Sequence, residues 1–310
     1  MSLESEIKSL AVEAGFCSVG IAQSDLVKNA HKVMSKASSI VSVAYSYPAY
    51  RDIDPPILRG KVARFARGRD YHLEVGDRLE ILGRRVAELC GASWGLFVDT
   101  SPISDRSAAQ LAGVGGFGKN TCIITSESGS WVVLGGIVTD LPLVPDNPAD
   151  SPCGDCSICL EACPTGALIR PFHLDRSRCI SNLTQTRGVV PEHLRPMIGR
   201  YVYGCDICQE VCPKNNLLPP PTDSDYFEYP FSAYPDLTWL VRITEDEFLK
   251  FVRPTAAGWI GRNTIRRNAA IALGNSGSRL ALDALNDALK DADEILREHI
   301  EWAINRITGS

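Results

Sequence analysis

The cysteines constrain this chain more than any other feature of its sequence. Eight of the eleven cysteines fall between Cys153 and Cys212. The first run, CGDCSICLEACP, has the Cys-x2-Cys-x2-Cys-x3-Cys-Pro spacing with which bacterial ferredoxins bind 4Fe–4S clusters. The second run, CDICQEVCP, lacks one cysteine of that motif, and Cys179 lies alone between the runs. The eight thiols together match the needs of two four-iron clusters.

In two-cluster ferredoxins, the fourth cysteine of each run binds the other cluster. This exchange predicts one ligand set of Cys153, Cys156, Cys159 and Cys212. The remaining set is Cys163, Cys179, Cys205 and Cys208. A pair of zinc sites is the alternative, because CxxC pairs also bind zinc. The three other cysteines, at 17, 90 and 122, lie in apolar surroundings and are interpreted as core thiols.

Length and composition indicate a globular protein. The 310 residues, 45% of them hydrophobic, suffice for roughly two domains with buried cores. The longest apolar run is far below the roughly 20 residues that a membrane helix needs. The first fifteen residues predict an amphipathic helix instead of a signal peptide, so we expect a cytoplasmic protein. The net charge of -5 argues against a generally basic nucleic-acid coat, although basic residues cluster locally at 59–69 and 250–279.

The first 150 residues alternate helical and strand patterns. Helical spacing occurs at 7–14 and 76–89, and short β-rich runs occur at 18–22, 40–46, 96–99 and 131–139. This alternation favours an α/β or α+β sandwich. Asp99 ends one predicted strand, where an aspartate with a raised pKa can transfer a proton. A turn or cap residue is the alternative for Asp99.

Three short motifs in this half are similar to cofactor sites but lack the required context. GVGGFG at 113–118 satisfies GxGxxG, and the overlapping GKN is close to a P-loop, yet both follow a helical stretch instead of a strand. We expect these glycines to let the backbone approach a large cofactor. DYH at 70–72 is similar to the Asp-x-His-x-x-Gly signature of cobalamin carriers that place a histidine below the cobalt. Here Gly76 stands one residue too far along the chain.

The C-terminal part repeats with a period of about 31 residues, since the pattern that begins at Ile265 recurs at Leu296. This period predicts a HEAT-like helical repeat. Its first helix carries Arg262, Arg266 and Arg267, which suit phosphate contact if they share one face. An ordinary solvated face is the alternative. The stretch at 217–236, rich in proline and tyrosine, predicts a linker or a strap over the core.

Several segments together resemble the epoxyqueuosine reductase family. They are ARFARGRDYH at 63–72, VDTSPISDRSAAQLAGVGGFGKNT at 98–121, GSWVVLGGIVTDLPL at 129–143, CGDCSICLEACPTGAL at 153–168, RCISNLTQTRG at 178–188 and YGCDICQEVCPKN at 203–215. The resemblance covers nearly the whole chain. Gly116 departs from the pattern, because the family often carries a larger, commonly aromatic residue there.

The patterns and the resemblance together predict an α+β chain of four parts. An α/β cobalamin-binding sandwich at 1–148 precedes a bacterial ferredoxin-like domain with two 4Fe–4S clusters at 149–220. A linker or strap at 221–250 leads to a HEAT-like α-helical repeat at 251–310, which we expect to contact tRNA.

The resemblance implies a tRNA-modifying oxidoreductase. The family reduces the epoxide of epoxyqueuosine at the wobble position to the alkene of queuosine. It uses Co(I) cobalamin, bound base-off without an axial histidine, and the two clusters supply the electrons. The implied partners are the tRNA anticodon stem-loop and a low-potential electron donor of the flavodoxin or ferredoxin type, and we expect a monomer. The alternatives are a related reductive dehalogenase with the same cofactors and a non-catalytic two-cluster electron carrier.

The resemblance also implies roles for individual residues. Asp99 occupies the proton-donor position, and Asp105 is a second candidate that could instead pair with Arg106. The residues expected to contact cobalamin are Arg64, Asp99, Ser181 and Asn182. Those expected to reach tRNA are Thr184, Gln185 and Arg187, together with Arg262, Arg266 and Arg267.

Overall fold

The structure is a computed structural model that describes residues 2–47, 54–215 and 231–309. Helices and strands alternate in its N-terminal part. They are α1 (Leu3–Glu13), β1 (Ser18–Gln23), α2 (Ala30–Val33), β2 (Ser39–Ser46), β3 (Lys61–Val62), α3 (Tyr71–Cys90), β4 (Trp94–Val98), α4 (Asp105–Leu111), β5 (Gly116–Phe117), β6 (Ile123–Ile124) and β7 (Val132–Thr139).

Four strands form the central sheet of this part, in the order β1-β2-β7-β4, and every neighbouring pair is antiparallel. Successive side chains of a strand point to opposite faces. Val41 and Val43 therefore pack with α1 and α3, whereas Ile40 and Ala44 pack with α2 and α4 on the other face. Helices thus cover both faces of the sheet, and the strands predicted from the sequence overlap β1, β2, β4 and β7.

The cysteine-rich segment follows the sheet domain and contains short elements. They are α5 (Ile158–Glu161), β8 (Leu168–Arg170), β9 (His173–Leu174), α6 (Ile180–Gln185), β10 (Tyr201–Tyr203) and α7 (Ile207–Glu210). Strand β10 pairs in parallel with β3, which joins this segment to the sheet domain. Gly204 follows β10 with φ +69°, and a Cβ there would lie 2.5 Å from the Cβ of Ala63. Only glycine tolerates both the backbone conformation and this close approach.

The C-terminal part is helical. Its helices are α8 (Leu237–Leu240), α9 (Glu245–Phe251), α10 (Arg262–Ser276), α11 (Leu282–Ala288) and α12 (Glu294–Thr308). Helix α10 is the central one, since it contacts α12, α8, α6 and β10. Most of its residues are buried, including Arg266 and Arg267. Within the described ranges, no helix has both the length and the apolar character needed to cross a membrane.

The linker predicted for residues 221–250 is corrected where the structure describes it. Helix α8 and nearly all of α9 lie in that segment, and Leu237, Leu240 and Phe248 are buried in the same core as α10. Residues 237–250 therefore belong to the helical part instead of linking to it. Residues 216–230, which contain most of the predicted strap, lie outside the described residues.

The prediction that the arginines of α10 contact phosphate is wrong for Arg266 and Arg267, which are each 1% exposed. Arg266 donates to the carbonyl of Val241 at 2.9 Å and pairs with Asp291. Arg262 is better exposed, but its guanidinium pairs with Glu245 at 3.2 Å and with Asp291 at 3.5 Å. These arginines bind polar groups within the protein. The sequence pattern alone does not distinguish such internal contacts from contacts with phosphate.

Arg267 fixes α10 to α6 and to the segment that follows it. Its guanidinium donates to the backbone carbonyls of Leu183 and Thr186, at 2.9 and 2.6 Å, and also to that of Gly188. Burial lowers the pKa of this guanidinium to about 10, so it stays charged at neutral pH.

Replacing Arg267 with alanine is expected to destabilise the protein by about 3 kcal/mol, because several buried carbonyls lose their donor. The free energy of unfolding measured in urea checks this. Arg279, which is exposed, provides the matched control, and Arg279→Ala is expected to change stability by less than about 0.5 kcal/mol. Equal losses in the two variants would show that Arg267 does not hold α10 in place.

Candidate functional site

A cavity of about 1060 Å³ lies between the sheet domain and the cysteine-rich segment. This volume is just above the roughly 300–1,000 Å³ typical of small-molecule sites, so it suits a large cofactor. The start of α3 and the end of β4 form one side, and α6 and the region after β10 form the other. The lining residues considered below are Asp70, Tyr71, His72, Asp99, Cys122, Cys163, Arg176, Cys179, Ser181, Asn182, Gln185, Arg187, Tyr203, Cys205, Cys208 and Trp259.

Asp99 stands directly after β4 in a left-handed backbone conformation, with φ +38°. Such a conformation is of order 1–3 kcal/mol unfavourable for a residue other than glycine. The neighbouring carboxylate of Asp105 compensates, because its Oδ2 accepts the backbone N–H of Asp99 at 2.5 Å. The side chain of Asp99 then reaches the cavity, where Oδ2 accepts hydrogen bonds from the Tyr71 hydroxyl at 3.0 Å and from His72 Nε2 at 3.2 Å.

His72 lies between two carboxylates. Its Nδ1 donates to Asp70 Oδ1 at 2.7 Å, and its Nε2 faces Asp99. Burial alone would lower the pKa of His72, but its hydrogen bonds to Asp70 and Asp99 and their charges raise it to about 9. The imidazole is therefore protonated at neutral pH and has no free lone pair for a metal. This arrangement argues against the His72–cobalt bond considered from the DYH motif.

The same network sets the ionisation of the aspartates. The hydrogen bond from His72 holds the pKa of Asp99 below its usual range, so Asp99 is a carboxylate beside an imidazolium. Burial raises the pKa of Asp105 to about 7, and the charge of Asp99 adds to this effect. Asp105 Oδ1 is buried and has no hydrogen-bond partner within the described part of the chain. The site thus contains an ion pair, Asp99 with protonated His72, and the carboxyl of Asp105, which titrates near neutral pH.

The two ligand sets predicted from the spacing define two groups of thiols in the cysteine-rich segment. In the first group, burial raises the pKa of Cys159 to about 11, and Cys153, Cys212 and Cys156 add to the effect. In the second, burial raises the pKa of Cys205, with smaller contributions from Cys179 and Cys163. A hydrogen bond with Cys122 raises the pKa of Cys208, and burial, Cys205 and Cys179 add to this effect. The two sets stay a prediction.

The two groups differ in their position relative to the cavity. All four thiols of the second group, Cys163, Cys179, Cys205 and Cys208, line it. Among residues 2–47, 54–215 and 231–309, no three His, Cys, Asp or Glu side chains approach closely enough to hold a single metal ion.

Cys122 differs from its interpretation as a core thiol, because it also lines the cavity. A hydrogen bond with the thiol of Cys208 lowers the pKa of Cys122. Nothing in the spacing of the cysteines indicated this position. The only signal was its place directly after GKNT, a segment that lies against the cysteine-rich part through the Lys119 N–H, which donates to Cys153 Sγ at 3.3 Å.

The prediction that Arg64 contacts the cofactor is not supported, since Arg64 is 3% exposed and lies behind the cavity wall. Its Nη1 contacts Asp206 Oδ2 at 3.3 Å and Glu210 Oε1 at 3.0 Å, and its guanidinium lies over the ring of Trp131 at 4.4 Å. Burial raises the pKa of Asp206 to about 6, although the charge of Arg64 opposes this. Arg64 thus connects the sheet domain to the second cysteine run.

Helix α6 carries several of the predicted contact residues. Ser181, Asn182, Gln185 and Arg187, the last just beyond the helix, line the cavity as expected of residues that meet cofactor or substrate. Thr184 does not. It is fully buried, where its Oγ1 donates to the carbonyl of Ser181 and accepts the N–H of Gly204. The prediction that Thr184 contacts tRNA is therefore corrected.

The glycine-rich stretch at 113–118 also has a different environment from the one expected. A Cβ at Gly116 would lie 1.9 Å from the carbonyl oxygen of Asp150, and one at Gly113 would lie 2.6 Å from that of Asn147. The glycines let the chain that leads into the cysteine-rich segment pass closely, and they do not line the cavity. Gly116 is consequently required by the backbone around it in this chain.

The sequence did not indicate Tyr71 or Trp259, and it suggested His72 only as a cobalt ligand, a role that the DYH motif did not support. The DYH motif was the available signal, since Asp70 caps α3 and the next two residues begin that helix. Capping by Asp70 turns the side chains of Tyr71 and His72 towards the end of β4. That contact depends on the packing of α3 against the sheet, which the motif does not encode.

The chain is similar in sequence to known protein families and to named proteins. Residues 152–215 match a family model described as a 4Fe-4S double cluster binding domain, and residues 28–100 match one described as epoxyqueuosine reductase QueG, DUF1730. A Salmonella typhimurium protein named epoxyqueuosine reductase is 36% identical across 97% of this chain and 88% of its own length. One of the same name from Bacillus subtilis is 38% identical across 89% and 73%.

Solved structures are similar over the whole chain. That of epoxyqueuosine reductase from Streptococcus thermophilus has a TM-score of 0.91 at 31% identity, covering 100% of this chain and 91% of the other. A crystal structure of epoxyqueuosine reductase with an epoxyqueuosine-modified tRNA-Tyr stem loop has a TM-score of 0.86 at 30% identity, covering 99% of each chain.

The raised pKa of Asp105 makes stability depend on pH. A carboxyl that binds its proton more tightly when folded favours the folded state less as pH rises from about 4 to about 7. In Asp105→Asn this contribution disappears, while the amide oxygen still accepts the Asp99 N–H. We therefore expect the difference in unfolding free energy between variant and wild type to shift in favour of the variant as pH rises across that range.

Urea unfolding at several pH values measures this difference. Asp25→Asn, at an exposed aspartate, controls for the loss of a carboxylate. A difference between Asp105→Asn and wild type that does not vary with pH would contradict the raised pKa.

Proposed function

The chain belongs to the epoxyqueuosine reductase family, and we propose that it reduces the epoxide of epoxyqueuosine, at the wobble position of tRNA, to the alkene of queuosine. It is an oxidoreductase. Two electrons and two protons remove the epoxide oxygen as water and leave a carbon–carbon double bond. The observation that carries the proposal is that one cavity brings together an acid network around Asp99 and the second group of thiols. A two-cluster electron carrier has no need for such an acid network.

The eight cysteines of the two groups are the proposed ligands of two 4Fe–4S clusters. Soft thiolates are the usual ligands of iron–sulfur clusters, and the exchanged pattern of two ferredoxin-like runs supplies four to each. Burial raises the pKa of Cys205, and a hydrogen bond with Cys122 together with burial raises that of Cys208, which disfavours free thiolates at these positions. Binding to iron provides the compensating charge, because a coordinating thiol is deprotonated by the metal.

The cavity is the proposed site of cobalamin. Its volume suits a large group, Ser181 and Asn182 offer polar side chains on one side, and Asp99 faces them from the end of β4. His72 has both ring nitrogens engaged, which supports a cobalamin bound without an axial histidine. When bound, the clusters and the cobalamin supply low-potential electrons within the cavity; the remaining chemistry falls to the side chains that surround it.

Asp99 and His72 are the proposed source of the proton. As the epoxide oxygen leaves, it develops negative charge, and a donor at that point lowers the barrier. Asp99 is ionised next to protonated His72, so the pair holds one transferable proton between Asp99 Oδ2 and His72 Nε2. Tyr71 keeps Asp99 oriented through its hydroxyl, and Asp70 keeps the imidazole oriented through Nδ1.

The RNA side of the cavity is proposed to include Gln185 and Arg187, which lie at its α6 edge. The related enzyme solved with a modified stem loop supports an RNA partner for this chain. We further propose that α10 and α12, which pack along each other, form a HEAT-like pair. A low-potential flavodoxin or ferredoxin as donor, a monomeric state and a cytoplasmic location complete the proposal.

Conversion of epoxyqueuosine to queuosine by the purified protein tests the proposed function. Anaerobically reconstituted protein with cobalamin and a chemical reductant is expected to turn an epoxyqueuosine-bearing anticodon stem-loop into the queuosine form, seen by mass spectrometry as the loss of one oxygen. Asp99→Asn is expected to lower the rate by about 10²–10⁴-fold, because the amide cannot donate the proton. Iron content and corrinoid absorption should stay at wild-type levels.

Asp25→Asn serves as the control for this variant. A wild-type protein that binds both cofactors and leaves the epoxide intact would refute the proposed function. Full activity in Asp99→Asn would instead remove Asp99 from its role and leave the function standing.

The ligand sets are tested by metal analysis. Wild-type protein is expected to contain about eight irons per chain. Cys156→Ala and Cys208→Ala each remove a ligand of a different set, so each variant is expected to fall towards about four. Cys90→Ala, at a partly buried thiol outside both sets, is expected to keep the wild-type content. Zinc in place of iron, or equal iron in all four proteins, would overturn the assignment.

A further inference from the structure

Trp259 is an aromatic side chain at the edge of the cavity that the chemistry described above does not use. It lies in the single turn Gly258–Ile260 and is 50% exposed, although its neighbours in that turn are buried. Tryptophan is highly buried on average, so a half-exposed indole at the edge of a binding cavity calls for a function.

The indole is held in place at its polar edge. Trp259 Nε1 donates to the hydroxyl of Tyr203 at 3.0 Å, and that hydroxyl donates to the carbonyl of Ala256 at 2.6 Å. Arg187 donates to the backbone carbonyl of Trp259 at 2.5 Å. These bonds fix the ring without covering it. A rigid aromatic surface binds a flat ligand at a small entropic cost, because little side-chain freedom remains to be lost.

The charges around Trp259 are those of an anion-binding surface. Arg187 and Arg176 both line the same cavity, and neither forms an ion pair within the part of the chain that the structure describes. The guanidinium of Arg187, which donates to the backbone carbonyl of Trp259, therefore has no carboxylate paired with it there. An aromatic ring next to uncompensated arginines is the combination with which proteins bind single-stranded nucleic acid.

We propose that Trp259 is a stacking surface for a nucleobase of the anticodon loop that adjoins the modified nucleoside. The inference rests on the proposed function. Since a polynucleotide is continuous, the neighbours of a nucleoside that enters the cavity must remain at its edge, and Trp259 lies at that edge. Bases in RNA loops can leave their stack and pack on aromatic side chains, with Arg187 close to the backbone phosphate. Trp259 thereby holds the loop in register with Asp99.

Binding of a labelled synthetic anticodon stem-loop RNA, followed by fluorescence anisotropy on the cofactor-loaded protein, tests this inference. Trp259→Ala is expected to weaken binding by about ten-fold or more, because base–aromatic stacking is worth about 1–3 kcal/mol. Trp259→Phe keeps a stacking face without the Nε1 donor and is expected to stay within about three-fold of wild type. Leu249→Ala, at an equally exposed apolar residue of α9 that does not line the cavity, is the control.

A second arm changes the RNA instead of the protein. Stem-loops with one abasic nucleotide on either side of the wobble position should bind wild-type protein more weakly at one of the two positions. The same RNA should lose almost nothing further with Trp259→Ala, because the same contact is already absent. This arm does not depend on how well the variant folds. In turnover, Trp259→Ala should raise KM while kcat stays near wild type.

Two results would overturn the inference. One is wild-type RNA affinity in Trp259→Ala. The other is a loss of cobalamin affinity, seen in the corrinoid spectrum, with unchanged RNA binding, which would place the indole against the cofactor. Failure of the proposed function is seen separately, as wild-type protein that binds RNA but leaves the epoxide intact.

Discussion

The contact between the sheet domain and the cysteine-rich segment is the feature on which the site depends. Its centre is the buried pair of Arg64 and Asp206, supported by the parallel pairing of β3 with β10. Removing both charges from water is unfavourable unless they pair, and Arg64 donates to Asp206 Oδ2 from its backbone N–H as well as from its guanidinium. Such a pair favours one docking geometry, since any other leaves a buried charge without its partner.

That geometry gives the cavity its chemistry. Asp206 stands between Cys205 and Cys208, so the same residue that anchors the second cysteine run also fixes the thiols that face the cavity. On the opposite side, α3 brings Tyr71 and His72 to the end of β4. The acid network and the thiols belong to separate parts of the chain, and only the docking of these parts places them around one volume. A shift at the interface would displace the acid network and these thiols relative to each other.

The sequence predicted what depends on local pattern and failed where packing decides. The cysteine spacing indicated two sets of four, since tight loops around a cluster impose a local spacing. The strands could be predicted because short runs rich in β-forming residues are themselves a local feature of the sequence. By contrast, Arg266 and Arg267 looked like a phosphate-binding face, yet α10 is enclosed on nearly all sides and both guanidinium groups bind backbone carbonyls. The sequence of such a helix shows the same spacing of arginines whether they face solvent or pack against another element of the fold.

The proton-donor role proposed for Asp99 depends on its ionisation state. An aspartate whose pKa is held down by protonated His72 is ionised and has no proton of its own to donate in open water. Under the proposed function, a large cofactor and a nucleoside that fill the cavity would displace water from around Asp99. Desolvation disfavours the charged pair and favours the neutral one, so the proton would move from His72 Nε2 to Asp99 Oδ2. The acid would then form only with the substrate in place, directed at the cavity by the left-handed backbone that Asp105 supports.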